Sequence, residues 1–292
     1  MVSADRLPDS ARRALAHVAS LSSGPWLDPA LQVTLNFHPD RGAEGQPPIL
    51  AALAEQGVYR SQFVTGTSNG GLTAYPGGDR WRWESRMFAG AYDSADPLER
   101  PVYGALNYRR RSVGAAHRFG SAHFVLSCEV HARTTFCYPD SNQEPKHFAV
   151  AERMGLIALA LAADVDALDD HIEAQVHGAV RLDRDVEALV LDPSYRGTQV
   201  EELAGRLPCP IAWHGGFRLT TDELARHPDY RGARFVALGR QIAVDDLLTP
   251  RILGQAAQSG RHDPQDLKRV WHYLARFGAP IGSVTVSTDS HS

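Results

Sequence analysis

Residues 168–198 restrict the possible folds more than any other segment, because they read as two strands joined by a short turn. In the first strand, polar residues alternate with Ile172, Ala174 and Val176. Alternation on a strand places the polar side chains on one face of a sheet. The polar positions are Asp170, His171, Glu173, Gln175 and His177. Two interpretations stay open: the polar outer face of an edge strand, or the wall of a site with Glu173 as its central ionisable group.

The second strand of this segment opens a strand–helix–strand unit. Residues 186–192 (VEALVLD) and 209–215 (CPIAWHG) have apolar strand patterns, and residues 198–208 between them have a helical pattern. Thr198 and Glu201 have the spacing of a capping box at the start of that helix. Because a connection of this kind joins parallel strands, we expect part of the sheet to be parallel.

The remaining patterns predict an α+β fold with a mixed sheet in a single domain. Residues 9–22 have the apolar spacing of an amphipathic helix, and residues 31–37 alternate like a strand with one buried face. Residues 49–57 read as a helix with Gly57 at its C-cap, and residues 148–163 read as a buried helix. We expect three parts within residues 1–292: an N-terminal helical segment (1–30), a mixed-sheet core (31–217) and a mainly helical C-terminal part (218–292).

Composition limits the partners and the compartment. The net charge is -4, whereas a protein that binds duplex nucleic acid carries a strong basic excess, so we expect no such partner. The three cysteines are irregularly spaced and do not form a disulfide framework. The N-terminus lacks the apolar core of a secretory signal, and no run of about 18 apolar residues predicts a helix across a membrane. We therefore expect a cytoplasmic protein that has no membrane partner.

Three loops at predicted strand ends carry groups suited to a polar or anionic ligand. Residues 38–41 (HPDR) put a histidine and an Asp–Arg pair directly after the first strand. Residues 65–71 (TGTSNGG) combine hydroxyl and amide side chains with glycines. Residues 192–198 (DPSYRGT) join the carboxyl end of a strand to a helix, where α/β sheets bind ligands. Each loop is also consistent with an ordinary surface turn.

Several phrases of the sequence, taken in order, resemble one protein family. They are NFHPDR, YRSQFVTGTSNGGL, YGALN, RFGS, IEAQVHG, DVEALVLDPSYRGT and WHGGF. Together they are similar to an uncharacterised bacterial family, domain-of-unknown-function family 3626, over most of residues 31–245. This resemblance implies no activity by itself.

A second resemblance, to enzymes of the ADP-ribosyltransferase fold, concerns chemistry. Those enzymes present, in chain order, an Arg or His on a first strand, a Ser-Thr-Ser-like strand and a late strand with a catalytic Glu. Here Arg41 or His38 ends the first strand, a hydroxyl-rich segment follows at residues 65–68, and Glu173 lies on a late strand. In that fold the Glu holds a ribose hydroxyl of NAD and stabilises the oxocarbenium-like state as nicotinamide leaves.

The second resemblance implies an ADP-ribosyltransferase-like core, NAD as a co-substrate and a set of site residues. The catalytic group would be Glu173, with Gln175 and His171 beside it. The nucleotide would be contacted or positioned by His38, Arg41, Tyr59, Arg60, Thr65, Thr67, Ser68, Asn69, Tyr92, Arg118 and Ser121. Within this set, Arg41 and Arg60 would contact phosphate or ribose, and Tyr59 or Tyr92 would stack on the nicotinamide. The acceptor stays open: protein, nucleic acid, small molecule or water.

Two functions of other classes remain as alternatives. The first is a metal-dependent hydrolase, for which histidines and aspartates near predicted strand ends would supply ligands. Those residues are His38, His131, His171, His177, His214, Asp40, Asp170 and Asp192. Their spacing matches no metal-binding motif, so we assign no metal. The second is a non-catalytic binding module that uses the polar strand as a docking face.

Overall fold

The computed structural model describes residues 7–42, 48–66 and 73–280 and confirms an α+β fold built on a large mixed sheet. Its strands are β1 (Val33–Phe37), β2 (Val58–Tyr59), β3 (Val102–Leu106), β4 (Ala122–Leu126), β5 (Thr134–Tyr138), β6 (His147–Val150), β7 (Ile172–Val176), β8 (Val180–Arg181), β9 (Val186–Leu191), β10 (Ile211–Trp213), β11 (Leu219–Thr220) and β12 (Leu247–Leu248). Its α-helices are α1 (Asp9–Leu21), α2 (Ile49–Gln56), α3 (Gln62–Thr65), α4 (Asp79–Met87), α5 (Leu156–Ala162), α6 (Gln199–Ala204), α7 (Thr221–Ala225), α8 (Ala233–Ile242), α9 (Pro250–Gln258) and α10 (Pro264–Phe277).

The central sheet has the strand order β10-β9-β4-β1-β3-β7-β5-β6. β9 and β10 are parallel and are joined through α6, which confirms the predicted strand–helix–strand unit. The other neighbours in this sheet pair antiparallel. β2 pairs with β8 and β11 with β12 in two small sheets. The first strand and the late polar strand therefore belong to one sheet, with only β3 between them.

The two faces of the central sheet differ in polarity. Leu35 and Phe124, which are opposite each other on β1 and β4, lie on an apolar face that α2, α5 and α6 help to cover. Thr34 and Glu173 each lie opposite Ala105 of β3, so their side chains share the other face of the sheet. This face carries most of the polar side chains. α1 and α4 cover one part of this polar face. Residues 107–120 and the C-terminal helices cover another part of it.

Polar side chains of β1 attach the 107–120 segment to the polar face. Thr34 Oγ1 accepts a hydrogen bond from the Ala115 backbone N–H at 2.9 Å. Asn36 Nδ2 donates to the Val113 carbonyl at 2.9 Å. These bonds satisfy polar groups that burial would otherwise leave unpaired. They also fix the position of Arg118, which the same segment carries.

The C-terminal helices α7 to α10 have their own apolar cluster. Trp271 and Leu274 of α10 belong to it, together with Val113 and Leu168 from the sheet part of the chain. The C-terminal helices therefore pack against the sheet part of the chain. The single domain and its division into three parts stay predictions. Among the described helices, none combines the length and the apolar character needed to cross a bilayer.

Two local predictions about helices are wrong. Residues 148–163 do not form one buried helix: their first residues belong to β6, and the backbone N–H of Gly155 donates to the Ser23 carbonyl at 2.8 Å. That bond to a distant segment replaces a helical one, so α5 begins only afterwards. Leu159 and Leu161 of α5 are exposed.

The predicted capping box of α6 does not form either. Thr198 Oγ1 donates to the Tyr195 carbonyl at 2.6 Å and does not cap the helix. Glu201 accepts a hydrogen bond from the Gly197 backbone N–H at 2.6 Å. Both side chains stabilise the turn before the helix, because the turn brings its own backbone groups closer than the helical ones.

Candidate functional site

The polar strand of the sequence is β7, and it lies inside the central sheet rather than at its edge. β3 pairs with it on one side and β5 on the other, so Ala105 and Cys137 are both opposite Glu173. Glu173 and Gln175 are buried. An outer face would be exposed to water, so the edge-strand interpretation is wrong. The structure instead buries the carboxyl of Glu173 in the polar face.

Asp170 does not share this face, which corrects the expected set of five. It precedes β7, and its carboxylate accepts hydrogen bonds from Arg109 Nε and, at 2.6 Å, from Arg111 Nη2. These ion pairs tie the 107–120 segment to the start of β7. Asp170 therefore has a structural role that the strand alternation does not reveal.

The Glu173 carboxylate is held by donors from two different segments. Ser141 donates to Oε2 twice, from Oγ at 2.8 Å and from the backbone N–H at 3.3 Å. Gln175 Nε2 donates to Oε1 at 3.1 Å. Burial raises the pKa of Glu173, and the nearby Arg80 guanidinium acts in the opposite direction. A buried carboxyl with a perturbed pKa and a charged neighbour is typical of a functional site.

A continuous set of hydrogen bonds runs from Tyr92 to Glu173. The Tyr92 hydroxyl lies 2.6 Å from His177 Nδ1, Thr135 Oγ1 lies 3.0 Å from His177 Nε2, and Thr135 donates to Gln175 Oε1 at 2.9 Å. Burial lowers the pKa of His177 to about 3, so the ring is neutral and carries one proton. With Nδ1 accepting from Tyr92, that proton lies on Nε2 and is donated to Thr135. Gln175 Nε2 in turn donates to Glu173 Oε1 at 3.1 Å and to Cys137 Sγ at 3.4 Å. We call these five residues the Glu173 network.

Thr135→Val should destabilise the protein, because it removes one hydroxyl from the Glu173 network while keeping the volume of the side chain. His177 and Gln175 would each lose a buried partner, which should lower the free energy of unfolding by about 1–3 kcal/mol. Urea unfolding measures this loss. Thr134→Val is the matched control, since the Thr134 hydroxyl is also buried but donates to the Val130 carbonyl at 2.7 Å, outside the network.

The two threonine variants differ in a second measurement. Both are expected to lose stability, but only Thr135→Val should shift the side-chain amide signal of Gln175 in an NMR spectrum. The physical reason is that Thr135 donates a hydrogen bond to the Gln175 side chain, whereas Thr134 does not contact that amide. A Gln175 signal that is the same in Thr135→Val and in the wild type would contradict the assigned direction of the network.

A buried charged group approaches Glu173 from α4. The Arg80 guanidinium lies 4.3 Å from the centre of the Tyr103 ring, and its Nε and Nη1 are buried without a hydrogen-bond partner in the part of the chain that the structure describes. Tyr103 donates to Glu84 Oε1 at 2.7 Å, and Arg100 donates to Glu84 Oε2 at 2.5 Å. Burial raises the pKa of Glu84 to about 7, against the effects of Tyr103 and Arg100. Arg80 therefore brings a cation with unused donors beside Glu173.

His171 lies at the other side of the carboxyl, directly before β7. Its Nε2 is 3.6 Å from Asp140 Oδ2, and its ring meets the Phe119 ring edge-on at 5.7 Å. Neither ring nitrogen has a hydrogen-bond partner among the described residues. Burial lowers the pKa of His171, Asp140 opposes this effect, and Arg118 adds to it. The neutral ring keeps one donor and one acceptor for a ligand.

Arg118 connects His171 to α10. Its guanidinium pairs with Asp169. Burial lowers the pKa of His272 on α10 to about 3, and the Arg118 charge is the next cause. As at His171, both ring nitrogens of His272 are buried without a partner within the described ranges. The charge of Arg118 thus lowers the pKa values of two buried imidazoles, His171 and His272.

His38, directly after β1, ends this series of groups. Burial lowers its pKa well below the usual value, and the charges of Arg41 and His272 lower it further. Its ring meets the Trp271 ring edge-on at 4.8 Å. We call the series the polar row; its members are Glu173, His171, Arg118, His272 and His38.

Two predicted nucleotide contacts lie on the apolar side of the sheet. The Tyr59 ring lies 6.3 Å from the Phe37 ring and 6.0 Å from the Phe124 ring, inside the apolar cluster. Arg60 follows it and donates from Nε to Gln56 on α2 at 3.0 Å. The structure does not bring these two side chains to the polar row, because β2 packs against the other face.

The other aromatic candidate and the hydroxyl-rich segment lie elsewhere. Tyr92 is fully buried and packs against Phe88, so it belongs to the Glu173 network and presents no ring surface for stacking. Thr65 ends α3, is exposed, and donates to the Ser61 carbonyl at 3.4 Å. The remaining predicted residues of this segment lie outside the described residues: Thr67, Ser68 and Asn69.

Arg41 and Ser121 gather around a different carboxyl. Ser121 Oγ lies 3.5 Å from the Tyr195 hydroxyl, which donates to Asp40 at 3.0 Å. Burial raises the pKa of Asp40, and the adjacent Arg41 charge opposes this. Arg41 therefore acts on Asp40 and not on Glu173. The groups nearest to Glu173 come from other segments.

The described residues contain no group of ligands for a metal ion. Within residues 7–42, 48–66 and 73–280, no three His, Cys, Asp or Glu side chains are placed so that they could hold one. Two histidines of the hydrolase hypothesis have separate partners: His177 belongs to the Glu173 network, and His214 Nε2 lies 2.8 Å from the Ser121 carbonyl. This geometry does not support a metal-dependent hydrolase.

Sequence reasoning misses Arg80, Ser141 and Thr135. Arg80 and Ser141 approach Glu173 from segments about 93 and 32 positions away in the chain, and neither lies in a periodic pattern that predicts its direction. Thr135 carries a usable signal. In a strand-like run, Thr135 and Cys137 lie on one face and Phe136 lies on the other, so a polar position opposite β7 could have been expected.

Comparison with known proteins identifies a matching family. A family model described as "Protein of unknown function (DUF3626)" matches residues 32–165 and 149–277. The two matched regions include all five members of the polar row. No curated protein matches the chain.

Proposed function

We propose that this chain, which belongs to the DUF3626 family of proteins of unknown function, binds NAD and breaks its N-glycosidic bond. The activity would be that of a transferase or glycohydrolase of ADP-ribosyltransferase type, with NAD as co-substrate and with the acceptor left open. Glu173 is the proposed catalytic carboxylate, and the polar row is the proposed nucleotide site. The proposed compartment is the cytoplasm, where the free thiols of Cys128, Cys137 and Cys209 would stay reduced.

The observation that carries this proposal is the unsatisfied polarity of the polar row. His171 and His272 each bury two ring nitrogens that have no hydrogen-bond partner within the described residues. A buried polar atom without a partner costs about 1–3 kcal/mol, so native proteins satisfy nearly all of them with protein groups, water or ligands. The Arg118 charge acts on both rings. An anionic, hydroxyl-rich ligand would satisfy both the rings and the cation.

The dimensions of the polar row support a dinucleotide rather than a smaller ligand. Ala105 of β3 lies opposite Glu173 on one side and opposite Thr34 on the other. β7 and β1 are therefore separated by two strand spacings, about 10 Å. His38 lies four positions beyond Thr34, about 13 Å along the strand. An extended dinucleotide can reach from the carboxyl to His38, with its diphosphate near Arg118. One nucleoside cannot cover that span.

The chemistry proposed for Glu173 follows from where charge develops. As the bond between ribose and nicotinamide breaks, the electron pair leaves with the nicotinamide and positive charge develops on the ribose. A fixed carboxylate stabilises that charge, and a preorganised one does so without reorganising at the moment of reaction. Ser141 and Gln175 hold the carboxylate in one orientation. The acceptor then forms a bond to the same ribose carbon.

A docking module is the weaker alternative, for a specific reason. Its surface would be the polar face of β7, but that strand is buried on both sides by β3 and β5 and covered by other segments. A partner protein could not reach this face without displacing them. The burial of β7 therefore counts against a docking face.

Arg118→Gln tests the proposed diphosphate contact. The substitution should weaken NAD binding about 10- to 100-fold, because a hydrogen bond to a charged group contributes about 1.5–3 kcal/mol. Isothermal titration calorimetry with NAD measures the Kd. Arg226→Gln is the control, since Arg226 is exposed on the α7 side and pairs with Glu223. Equal Kd values for the two variants, or no NAD binding by the wild type, would count against the proposal.

A further inference from the structure

A cavity of about 180 Å³ lies where the loops after β1 and β9 meet α9. These loops contain the HPDR and DPSYRGT segments, residues 38–41 and 192–198. The polar part of the wall is formed by Asp40, Thr198, Gln199, Arg251, Gln255 and Gln258. Pro48, Val200 and Leu203 form an apolar part. α/β sheets bind ligands at the carboxyl ends of strands, and β1 and β9 both end here.

Asp40 is the buried charged group of this wall. It is 8% exposed. Its Oδ2 accepts a hydrogen bond from the Tyr195 hydroxyl at 3.0 Å, whereas its Oδ1 is buried and has no partner among the described residues. An unmet buried acceptor costs about 1–3 kcal/mol, and more when it is charged. A molecule in the cavity that donates a hydrogen bond to Oδ1 would remove this cost.

α9 is shaped to admit this carboxyl. A Cβ atom at Gly254 would lie 1.5 Å from Asp40 Oδ2, so no larger residue fits at that position. Glycine inside a helix costs about 1 kcal/mol relative to alanine. One turn later, Gln258 Nε2 donates to the Asp40 carbonyl at 3.0 Å. Gly254 therefore lowers the stability of the helix slightly but leaves room for the Asp40 carboxyl at the cavity wall.

The charges around the cavity restrict the chemistry of its ligand. Arg196, the cation that the sequence offers for a phosphate, lies over the Trp213 ring at 4.2 Å. A phosphate in the cavity would meet the Asp40 carboxylate, and a cation would meet the Arg251 guanidinium; both contacts are repulsive. An uncharged molecule with several hydroxyls avoids both, since it can donate to a carboxylate and accept from amide groups.

We propose that this cavity binds a small uncharged polyhydroxylated molecule, a monosaccharide or a polyol. One hydroxyl donates to Asp40 Oδ1, and others accept from the side chains of Gln255 and Arg251. The members of the polar row do not belong to the wall of this cavity. The cavity is thus separate from the proposed NAD site. A failure of either proposal would leave the other unaffected.

Saturation-transfer NMR on the full-length protein tests the site, with D-ribose, D-glucose and myo-inositol as separate probes. We expect transfer to at least one probe and a loss of affinity of about 10-fold or more in Asp40→Asn, because hydrogen bonds to charged groups are the stronger ones. Asp28→Asn is the matched control, since Asp28 is exposed and pairs with Arg110. Transfer to none of the three probes, or equal affinity in Asp40→Asn and wild type, would overturn the proposal.

A second variant covers the case in which Asp40→Asn does not fold. Gln255→Leu changes an exposed residue of α9 at the cavity wall and should also weaken binding; unchanged binding would overturn the proposal. NAD as a competitor then tests whether the cavity is separate from the nucleotide site. Displacement of the bound sugar by NAD would contradict a separate site for an uncharged molecule, and a lack of displacement would support it.

Discussion

Glu173→Gln is expected to lower the rate of nicotinamide release from NAD about 100- to 1000-fold. The substitution keeps the size of the side chain but removes the charge that faces the developing positive charge on the ribose. Since that interaction is stronger in the transition state than in the ground state, the Kd for NAD should change little. Chromatographic measurement of released nicotinamide gives kcat, and calorimetry gives the Kd.

Glu187→Gln is the control for this prediction. Glu187 is an exposed glutamate on β9 of the same sheet, so its replacement changes the net charge equally without touching the polar row. We expect it to keep the kcat of the wild type. Equal turnover by Glu173→Gln and wild type would remove Glu173 from the mechanism. A loss of binding equal to the loss of rate would make it a binding residue instead.

The protein is also expected to lose stability steeply in mild acid. Burial lowers the pKa values of four histidines to about 3: His117, His123, His177 and His272. The unfolded chain binds protons at these rings first, so their contribution is fully present above pH 6.5 and is lost as the pH falls toward 3. Each ring can change the free energy of unfolding by up to about 1.4 kcal/mol per pH unit.

Buried carboxyls oppose this loss, because burial raises the pKa values of Glu84, Glu173 and Asp40. Burial raises the pKa of Glu84 to about 7, so the folded state binds that proton first and gains stability as the pH falls from 7 toward 4.5. For the four rings and Glu84 taken alone, the net slope is up to about 4 kcal/mol per pH unit, a large share of a total stability of about 5–15 kcal/mol. Urea unfolding at a series of pH values measures the slope. His177→Gln should reduce it by one proton, and a slope of less than one proton in the wild type would contradict the prediction.

The alternation of polar and apolar residues predicted much of the sheet. It indicated β1, the polar β7 and the parallel unit of β9 and β10, because a half-buried strand repeats every two residues. Alternation also placed Glu173 and Gln175 on one side of the strand. It could not tell an outer face from a buried one, since both have the same period. Only the pairing of β7 with β3 and β5 distinguishes them.

The surroundings of Glu173 were much harder to predict. Ser141 and Arg80 come from a turn and from a helix end, and their direction depends on tertiary packing. Tyr92 illustrates the opposite error. Its aromatic ring suggested stacking, but its hydroxyl lies 2.6 Å from the ring of His177, which is distant in sequence. Sequence patterns report the face that a residue occupies, whereas its partners are decided by segments that meet only in the fold.

The position of Arg41 marks the same limit. The HPDR segment correctly follows β1, but the chain turns after it, and Arg41 acts on Asp40 instead of joining Glu173. His38, three positions earlier, still shares the polar face. The two-residue repeat predicts side-chain directions within a strand, but it gives no information after the strand ends.

The most direct test of the proposed function is a crystal structure of Glu173→Gln with intact NAD. The variant should bind the dinucleotide without cleaving it. We predict that a hydroxyl of the nicotinamide ribose lies about 3 Å from the side-chain amide at position 173, within hydrogen-bond distance, and that the diphosphate contacts Arg118. NAD bound away from β7, or crystals that contain no NAD at a saturating concentration, would contradict the proposal.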